Sequence, residues 1–305
     1  DGPCTIGGQT KDGYISARGS SGTRYWCSAQ MVTATWNKEL AHEQGILIGE
    51  EGMWNGYNGW YAPSMNTHRS PFSGRNFEYY SEDPLMSGKL AAEVVKGARS
   101  RGVYCQLKHF AVNEQETNRS GVCTWLTEQS LREIYLRPFE IAVKEGGAMG
   151  VMSSFNRIGS LWTGGDYRLL TEILRNEWGF QGIVITDFNT GPFMDTKQMA
   201  YAGGDLNLAT TPHAWEPETA ADYTVLRTSV KNILYALTRS NAMNGHGEGA
   251  YYLTYYAWWE VALFFGGIGL IVVLAAWGFF VIWSVVKQVK REEASAAAQP
   301  NKKKE

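Results

Sequence analysis

The chain has 305 residues, 44% of them apolar and 19% charged, with 28 basic against 30 acidic side chains and a net charge of −2. That length carries one large domain or two ordinary ones with an ample core, and the near-neutral balance excludes a basic nucleic-acid-binding surface. Its 12 Trp, 16 Tyr and 12 Phe offer ring faces suited to stacking on sugars and equally suited to a membrane interface.

Cys4, Cys27, Cys105 and Cys123 lack the paired spacing of a zinc site, so neither a metal nor a cofactor is expected. Cys105 reads as a buried, inert thiol in a strand, and a disulfide between two of the others stays open. The chain begins at Asp1 with neither Met nor a signal peptide, which reads as a fragment whose start lies upstream.

From Asp1 to about Gly245 strand-like runs alternate with helical ones. The opening residues to Tyr25 are a Gly- and Ser-rich loop. Met31–Thr35 reads as extended and leads to a helix near Asn37–Glu51; Trp60–Met65 is extended; Gly88–Arg101 is helical, with Leu90, Val94 and Val95 inward. Val103–Phe110 is a strand. A long helix over Thr127–Lys144 is expected to bend at Pro138 and to end at Gly146-Gly147. Ala148–Phe155 is the next strand, Tyr167–Trp178 a helix closed by Gly179, and Gly204–Ala209 a further strand before a helix over Tyr223–Leu237.

The chain is organised around Gly182-Ile183-Val184-Ile185-Thr186-Asp187, a buried β-branched run that delivers one carboxylate at its C-terminal end. An acid at the tip of a parallel strand is where barrel enzymes keep their chemistry. On that stretch alone, a cap on the following helix is an equally good reading. About six β-then-α units with continuous apolar strands predict an α/β fold, a (β/α)8-type (TIM-like) barrel over residues 1–245, incomplete at its N-terminus.

After that the composition changes abruptly. Residues 246–260 form an aromatic juxtamembrane linker containing Tyr251, Tyr252, Tyr255, Tyr256, Trp258 and Trp259. Val261–Val286 has no charge, and at about 1.5 Å per residue it reaches roughly 39 Å, enough for a single transmembrane helix through a lipid bilayer. No Lys or Arg occurs between Arg239 and Lys287, whereas Lys287, Lys290, Arg291, Lys302, Lys303 and Lys304 follow. The positive-inside rule therefore predicts a single-pass protein of the cell membrane, with the barrel outside and a basic cytoplasmic tail over residues 287–305 that is assigned no fold.

Polar residues concentrate at three further strand ends. These are His68 through Glu78 with Ser81–Pro84, Lys108-His109 with Asn113–Arg119 behind them, and Met152–Asn156. Cations beside Asp187 would hold its carboxylate ionised, as a nucleophile needs. For Glu82, Asp83, Glu114, Glu116 and Arg119 the preferred reading is an ion-pair network holding long loops.

These residues carry a family resemblance. Pro63 to Asp83, with Gly-Arg-Asn-Phe-Glu and Ser-Glu-Asp-Pro, resembles the signature of glycoside hydrolase family 3, the β-glucosidase and β-xylosidase family. Lys108-His109-Phe110 with Asn113–Glu116, Val151–Asn156, and Trp178–Gly182 leading to Thr186-Asp187 are similar to its other blocks in the same order. Asp1-Gly2-Pro3 resembles its first sugar-binding turn, and Ala202–Asp205 the segment after its nucleophile.

The resemblance implies a retaining, exo-acting β-glycosidase acting on a β-linked oligosaccharide or glycoside. Asp187 would be the nucleophile, Asp1, Arg75, Lys108 and His109 would bind sugar hydroxyls, and Met152 would line the pocket. Phe155 stands where the family often has Tyr and Phe188 where it often has Trp, which bears on the nucleophile's surroundings and on the leaving group. A retaining enzyme also needs an acid/base carboxyl. The resemblance implies that it comes from an α/β sandwich domain of the same protein, upstream in a reverse-order member, with Glu78 and Glu116 as weak stand-ins. The competing reading is a catalytically silent, membrane-anchored barrel that binds sugar.

Overall fold

The computed structural model describes residues 8–9, 15–16, 26–54, 56–189, 191–209, 215–243, 256 and 258–297. Two compact units make up the chain, Asp1–Gly247 and Glu248–Glu305.

In the first unit, β1 (Gly8–Gln9) and β2 (Ile15–Ser16) pair antiparallel. The helix α1 (Ala29–Ala34) follows, then α2 (Lys38–Trp54), β3 (Gly59–Trp60), α3 (Pro84–Ser100), β4 (Tyr104–Phe110), β5 (Cys123–Thr124), α4 (Glu128–Ser130) and α5 (Arg137–Lys144). The remainder is β6 (Gly150–Ser153), β7 (Arg157–Ile158), β8 (Leu161–Trp162), a π-helical segment Arg168–Glu177, β9 (Ile183–Ile185), α6 (Thr196–Ala202) and α7 (Ala220–Leu237).

The central sheet has the order β3-β4-β6-β9, parallel throughout, with Trp60 beside Cys105, Gln106 beside Gly150 and Val151 beside Val184. A single bridge from Ile185 to Leu206 extends it. Repeated parallel β/α units are thus present as expected, and among the described residues the sheet does not close. Strands β4, β6 and β9 are buried on both faces; on β4 the residues alternating with Cys105 and Leu107 are the polar Gln106 and Lys108. Leu107, Phe110, Val151 and Val184 pack with Leu90, Val94 and Val95 of α3, Phe139 of α5, and Leu169, Leu170 and Trp178. Phe110 meets Phe139 and Trp178 edge to face, at centroid separations of 5.2 and 5.8 Å.

Local signals set the helix ends. The Asp83 carboxylate accepts from the amides of Leu85 and Met86, with Pro84 in the first turn of α3. Thr219 and Asp222 form a reciprocal capping box at the start of α7. Helices α2 and α3 approach so closely that a Cβ on Gly97 would lie 2.3 Å from the His42 carbonyl oxygen, and one on Gly45 2.2 Å from that of Val94.

Several expectations are corrected. Met31–Thr35 is helical within and after α1, because the Ser28 hydroxyl caps the Met31 amide and Val32 and Thr33 are buried, which outweighs their β-branched preference. The 127–144 helix is irregular at Leu131–Tyr135, a π-type turn, and Pro138 sits harmlessly in the first turn of α5. The strand expected at Gly204–Ala209 is short but pairs with β9 in parallel at Leu206, whose amide donates to the Val184 carbonyl at 3.1 Å and whose carbonyl accepts from the Thr186 amide at 3.0 Å. The Asp205 carboxylate reinforces this pairing. Its Oδ2 accepts from the Val184 amide at 2.7 Å and from Arg175 at 2.7 Å, and its Oδ1 accepts from Asn232 at 2.8 Å. Cys27 and Cys123 carry free thiols; Cys4 lies outside the described residues.

The second unit contains α8 (Trp258–Ala297), with a strongly apolar window of which no part is buried. It continues past Val286 into the tail that the sequence left without an assigned fold, where Gln288 donates to Glu292 one turn on.

Candidate active site

Because the strands run parallel, their C-terminal ends share one edge of the sheet. The backbone stitches them together there. Met65 N–H donates to the Lys108 carbonyl at 2.8 Å, Ser154 N–H to Phe110 at 2.9 Å and Asp187 N–H to Ser153 at 3.0 Å. Ser64, Lys108, His109, Ser153 and Asp187 are thereby brought to one place from four separate stretches of sequence.

Asp187 ends the β9 run. Its Oδ1 accepts from the Phe188 amide at 2.7 Å, while its buried Oδ2 has no hydrogen-bond partner and lies 3.7 Å from His109 Nε2. Burial raises the pKa of this carboxyl; the Phe188 amide, Arg75, Lys108 and Arg119 oppose the rise without cancelling it. The result is a fixed carboxylate with one unsatisfied oxygen, which is what attack on an electrophilic carbon requires.

Beside it lies a buried charge cluster. The Glu78 carboxylate accepts from the Ser64 hydroxyl at 2.8 Å and from Arg75 Nε, with Lys108 Nζ 3.5 Å away. Burial pushes Glu78 upward, yet Lys108 and Arg75 outweigh it and hold the carboxyl below its usual range. Glu78 is therefore committed as a counter-ion, a state that disqualifies it as a proton donor. Burial lowers Lys108, and Glu78 and Asp187 partly restore it. Arg75 also approaches Glu116 at 3.8 Å, and Glu116 accepts from Arg119 at 2.6 Å.

His109 is gripped through its backbone. Its amide donates to Asn66 Oδ1 at 2.7 Å, and its carbonyl accepts from Asn66 Nδ2 at 3.0 Å. Its Nδ1 faces the Tyr79 hydroxyl at 3.5 Å; that hydroxyl donates to the Asn113 carbonyl and accepts from Asn113 Nδ2. Burial, reinforced by Arg75, Lys108 and Arg119, pushes the His109 pKa well below its usual value. The 3.7 Å approach to Asp187 is therefore that of a neutral ring to a carboxylate, and no ion pair forms.

Of the residues expected at the site, Arg75, Lys108, His109 and Asp187 come together. Met152 is buried in a cluster with Met149, Ile183, Ile185 and Ala236, and Asp1 lies outside the described residues. Phe155 is buried with the Arg119 guanidinium 4.2 Å over its ring, and Phe188 is 41% exposed at the rim. Sequence reasoning missed the roles of Asn66, Tyr79 and Asn113. It grouped Glu114 with loop ion pairs, whereas the structure buries it against Asn66 and the Thr67 amide.

The model of the glycosyl hydrolase family 3 N-terminal domain matches residues 3–213. β-Glucosidase A of Butyrivibrio fibrisolvens is 40% identical over 205 residues, 66% of this chain and 24% of that protein. The solved structure of β-glucosidase 3B from Thermotoga neapolitana in complex with α-D-glucose is 38% identical with a TM-score of 0.69, over 79% of this chain and 35% of that one. A family 3 β-glucosidase from Bifidobacterium adolescentis aligns at 28% identity with a TM-score of 0.67, over 83% of this chain and 40% of that one. The chain thus spans about a quarter to two fifths of the length of these relatives.

Proposed function

The chain belongs to glycosyl hydrolase family 3, and from that premise we propose that it carries the sugar-binding and nucleophilic half of a retaining, exo-acting β-glycosidase of β-glucosidase type. The observation that carries this reading is the Asp187 carboxylate at the tip of β9, with Oδ2 unpartnered and turned toward His109. Asp187 attacks the anomeric carbon; the bond to the leaving oxygen breaks, and a glycosyl-aspartate forms that water then hydrolyses. Arg75, Lys108 and His109 bind the ring hydroxyls, with Asp1 and Met152 completing the pocket. Charged donors fix the ring through its hydroxyls, and hydrogen bonds at the 2-hydroxyl strengthen in the oxocarbenium-like transition state. β-Xylosides are the side alternative.

The general acid/base is supplied by a domain outside residues 1–305, an upstream α/β sandwich of the same protein. Glu78 is held as an anion by Lys108 and Arg75, and Glu116 is engaged by Arg119, which supports assigning that role elsewhere. The apolar α8 and the cations confined to its C-terminal side support a single-pass membrane anchor with the barrel on the outer face.

A mechanism-based inactivator tests the reading without needing the acid. 2-Deoxy-2-fluoro-β-D-glucosyl fluoride, whose fluoride leaves without protonation, should add one fluoroglucosyl group to Asp187, read by mass spectrometry of the peptide. Asp187→Ala should take up none. Binding of glucose by the unlabelled wild-type protein would leave the sugar-binding barrel as the better description.

A further inference from the structure

Glu114 is buried at the back of the site, and the step just proposed does not use it. Its Oε1 accepts from Asn66 Nδ2 at 3.2 Å and from the Thr67 amide at 3.3 Å. The same Asn66 carboxamide takes both backbone groups of His109. A continuous hydrogen-bond chain therefore runs from a buried carboxyl to the residue whose ring faces Asp187.

The geometry is asymmetric. Asn66 Nδ2 is shared between Glu114 and the His109 carbonyl, so the strength of one bond sets how the amide is aimed at the other. An ionised Glu114 accepts a charge-assisted bond and fixes the carboxamide plane; a protonated one accepts a weaker, neutral bond. Through that plane the carboxamide controls where the His109 backbone sits, and with it Nε2.

We propose that Glu114 is a positioning residue for His109, acting through Asn66, and that its protonation state sets how firmly the imidazole is held for sugar binding. This assignment rests on the glycosidase reading above.

Physical chemistry places the switch in a usable range. Burial raises the Glu114 carboxyl to about 7, against the Asn66, Thr67 and Glu114 amides and the more distant charge of Arg69. The other titratable groups facing it are Tyr79 and Tyr135, both themselves raised by burial and therefore neutral there. Arg69 donates to the Tyr135 hydroxyl, which keeps that cation anchored beside the group. His109 is held neutral throughout, so a change near pH 7 does not come from its own ring.

The test uses the intact protein and the same fluoroglucosyl fluoride, with the labelling rate of Asp187 followed from pH 5 to 9. In wild type the rate should fall about tenfold on the acid side of a limb centred near pH 7, the worth of exchanging a charge-assisted hydrogen bond for a neutral one. Glu114→Gln, which accepts at all pH values but cannot titrate, should remove that limb and leave any lower limb from Asp187 itself. Persistence of the limb at the same midpoint in Glu114→Gln, or its absence from wild type, overturns the proposal. If wild type is not labelled at any pH, the glycosidase reading fails instead. The positioning claim is then read by nitrogen-15 spectra of the five histidines, assigned with His109→Gln. The wild-type His109 ring signals should shift with a midpoint near pH 7 while staying in the neutral-imidazole range. A flat His109 response would refute the link whether or not Glu114→Gln folds.

Discussion

Replacing Asp205 by Ala removes a buried carboxylate that holds β9, the strand that carries Asp187. Three donors converge on it at 2.7–2.8 Å: the Val184 amide, Arg175 and Asn232. Arg175 keeps its bonds to the Gly182 and Gly203 carbonyls, but the Val184 amide is left unsatisfied inside the sheet, and Arg175 loses its counter-charge. An orphaned buried donor costs about 1–3 kcal/mol, and breaking one side of a buried ion pair about 3–5 kcal/mol, so we expect a loss of about 3–5 kcal/mol. For a domain of this size that is a fall in Tm of roughly 6–20 °C. Thermal melts of the intact protein in detergent, followed by near-ultraviolet circular dichroism, read it directly. An Arg175→Met variant and the double variant give the coupling between the two residues. A loss below about 1 kcal/mol, the worth of an exposed ion pair, would refute the claim that Asp205 pins the strand.

Three further outcomes are expected. Glu114 is raised from an ordinary 4.5 to about 7 in the folded state, so the native protein holds a proton there that the unfolded chain has lost. Its contribution is full below about pH 4.5 and is lost as pH rises to about 7, a loss of about 3 kcal/mol. Wild type should therefore lose more Tm between pH 5 and 8 than Glu114→Gln does; parallel curves would contradict the burial argument. Gly97→Ala drives a Cβ to 2.3 Å from the His42 carbonyl oxygen and 2.6 Å from the Ile46 amide nitrogen. Prising α2 from α3 should cost about 1–3 kcal/mol or more in the same melts, and an unchanged Tm would show that the helices do not meet as described. Burial pushes the Cys105 thiol up to about 12. Iodoacetamide at pH 8 should modify exposed Cys27 and Cys123 while sparing Cys105 until the protein is unfolded, with peptide mapping as the readout.

The sheet was readable because its strands are short, largely apolar runs rich in β-branched residues or closed by polar ones. Val103–Phe110, Ala148–Phe155 and Gly182–Asp187 contain β4, β6 and β9, and each polar residue that ends such a run lies at the site. What escaped was decided by caps, burial and contacts that lie outside each run's own pattern. Val32 and Thr33 look extended, and become helical through the Ser28 cap and burial. Pro138 is the obvious place for a bend, yet the backbone departs from regularity a turn earlier, since a proline in a first turn costs no hydrogen bond. Glu114 sits in a charge-rich stretch where ion pairing is the natural expectation; only the fold reveals that its partners are amides 47 and 48 positions away. Asn66 carries no pattern of its own beyond a polar residue next to Met65 at the end of an extended run. Asp205 fell within a recognised segment without a role, because a carboxylate that bonds a neighbouring strand's amide and two side chains leaves no periodicity.

The all-parallel order of the sheet also governs when the site comes into being. Parallel neighbours cannot be joined by a tight turn; each pairing here waits on a helical crossover, so the contacts that assemble Ser64, Lys108, Ser153 and Asp187 are non-local ones whose loop-closure entropy slows their formation. The β3–β4 unit alone gathers Ser64, Glu78, Lys108 and His109, but Asp187 joins them only when the crossovers to β6 and β9 have docked, so a ligand that needs both groups would recognise only chains in which every crossover has docked. Such a ligand acts as a selective trap for the finished topology: at a hundred times its Kd it would add about 2.7 kcal/mol to the folded state.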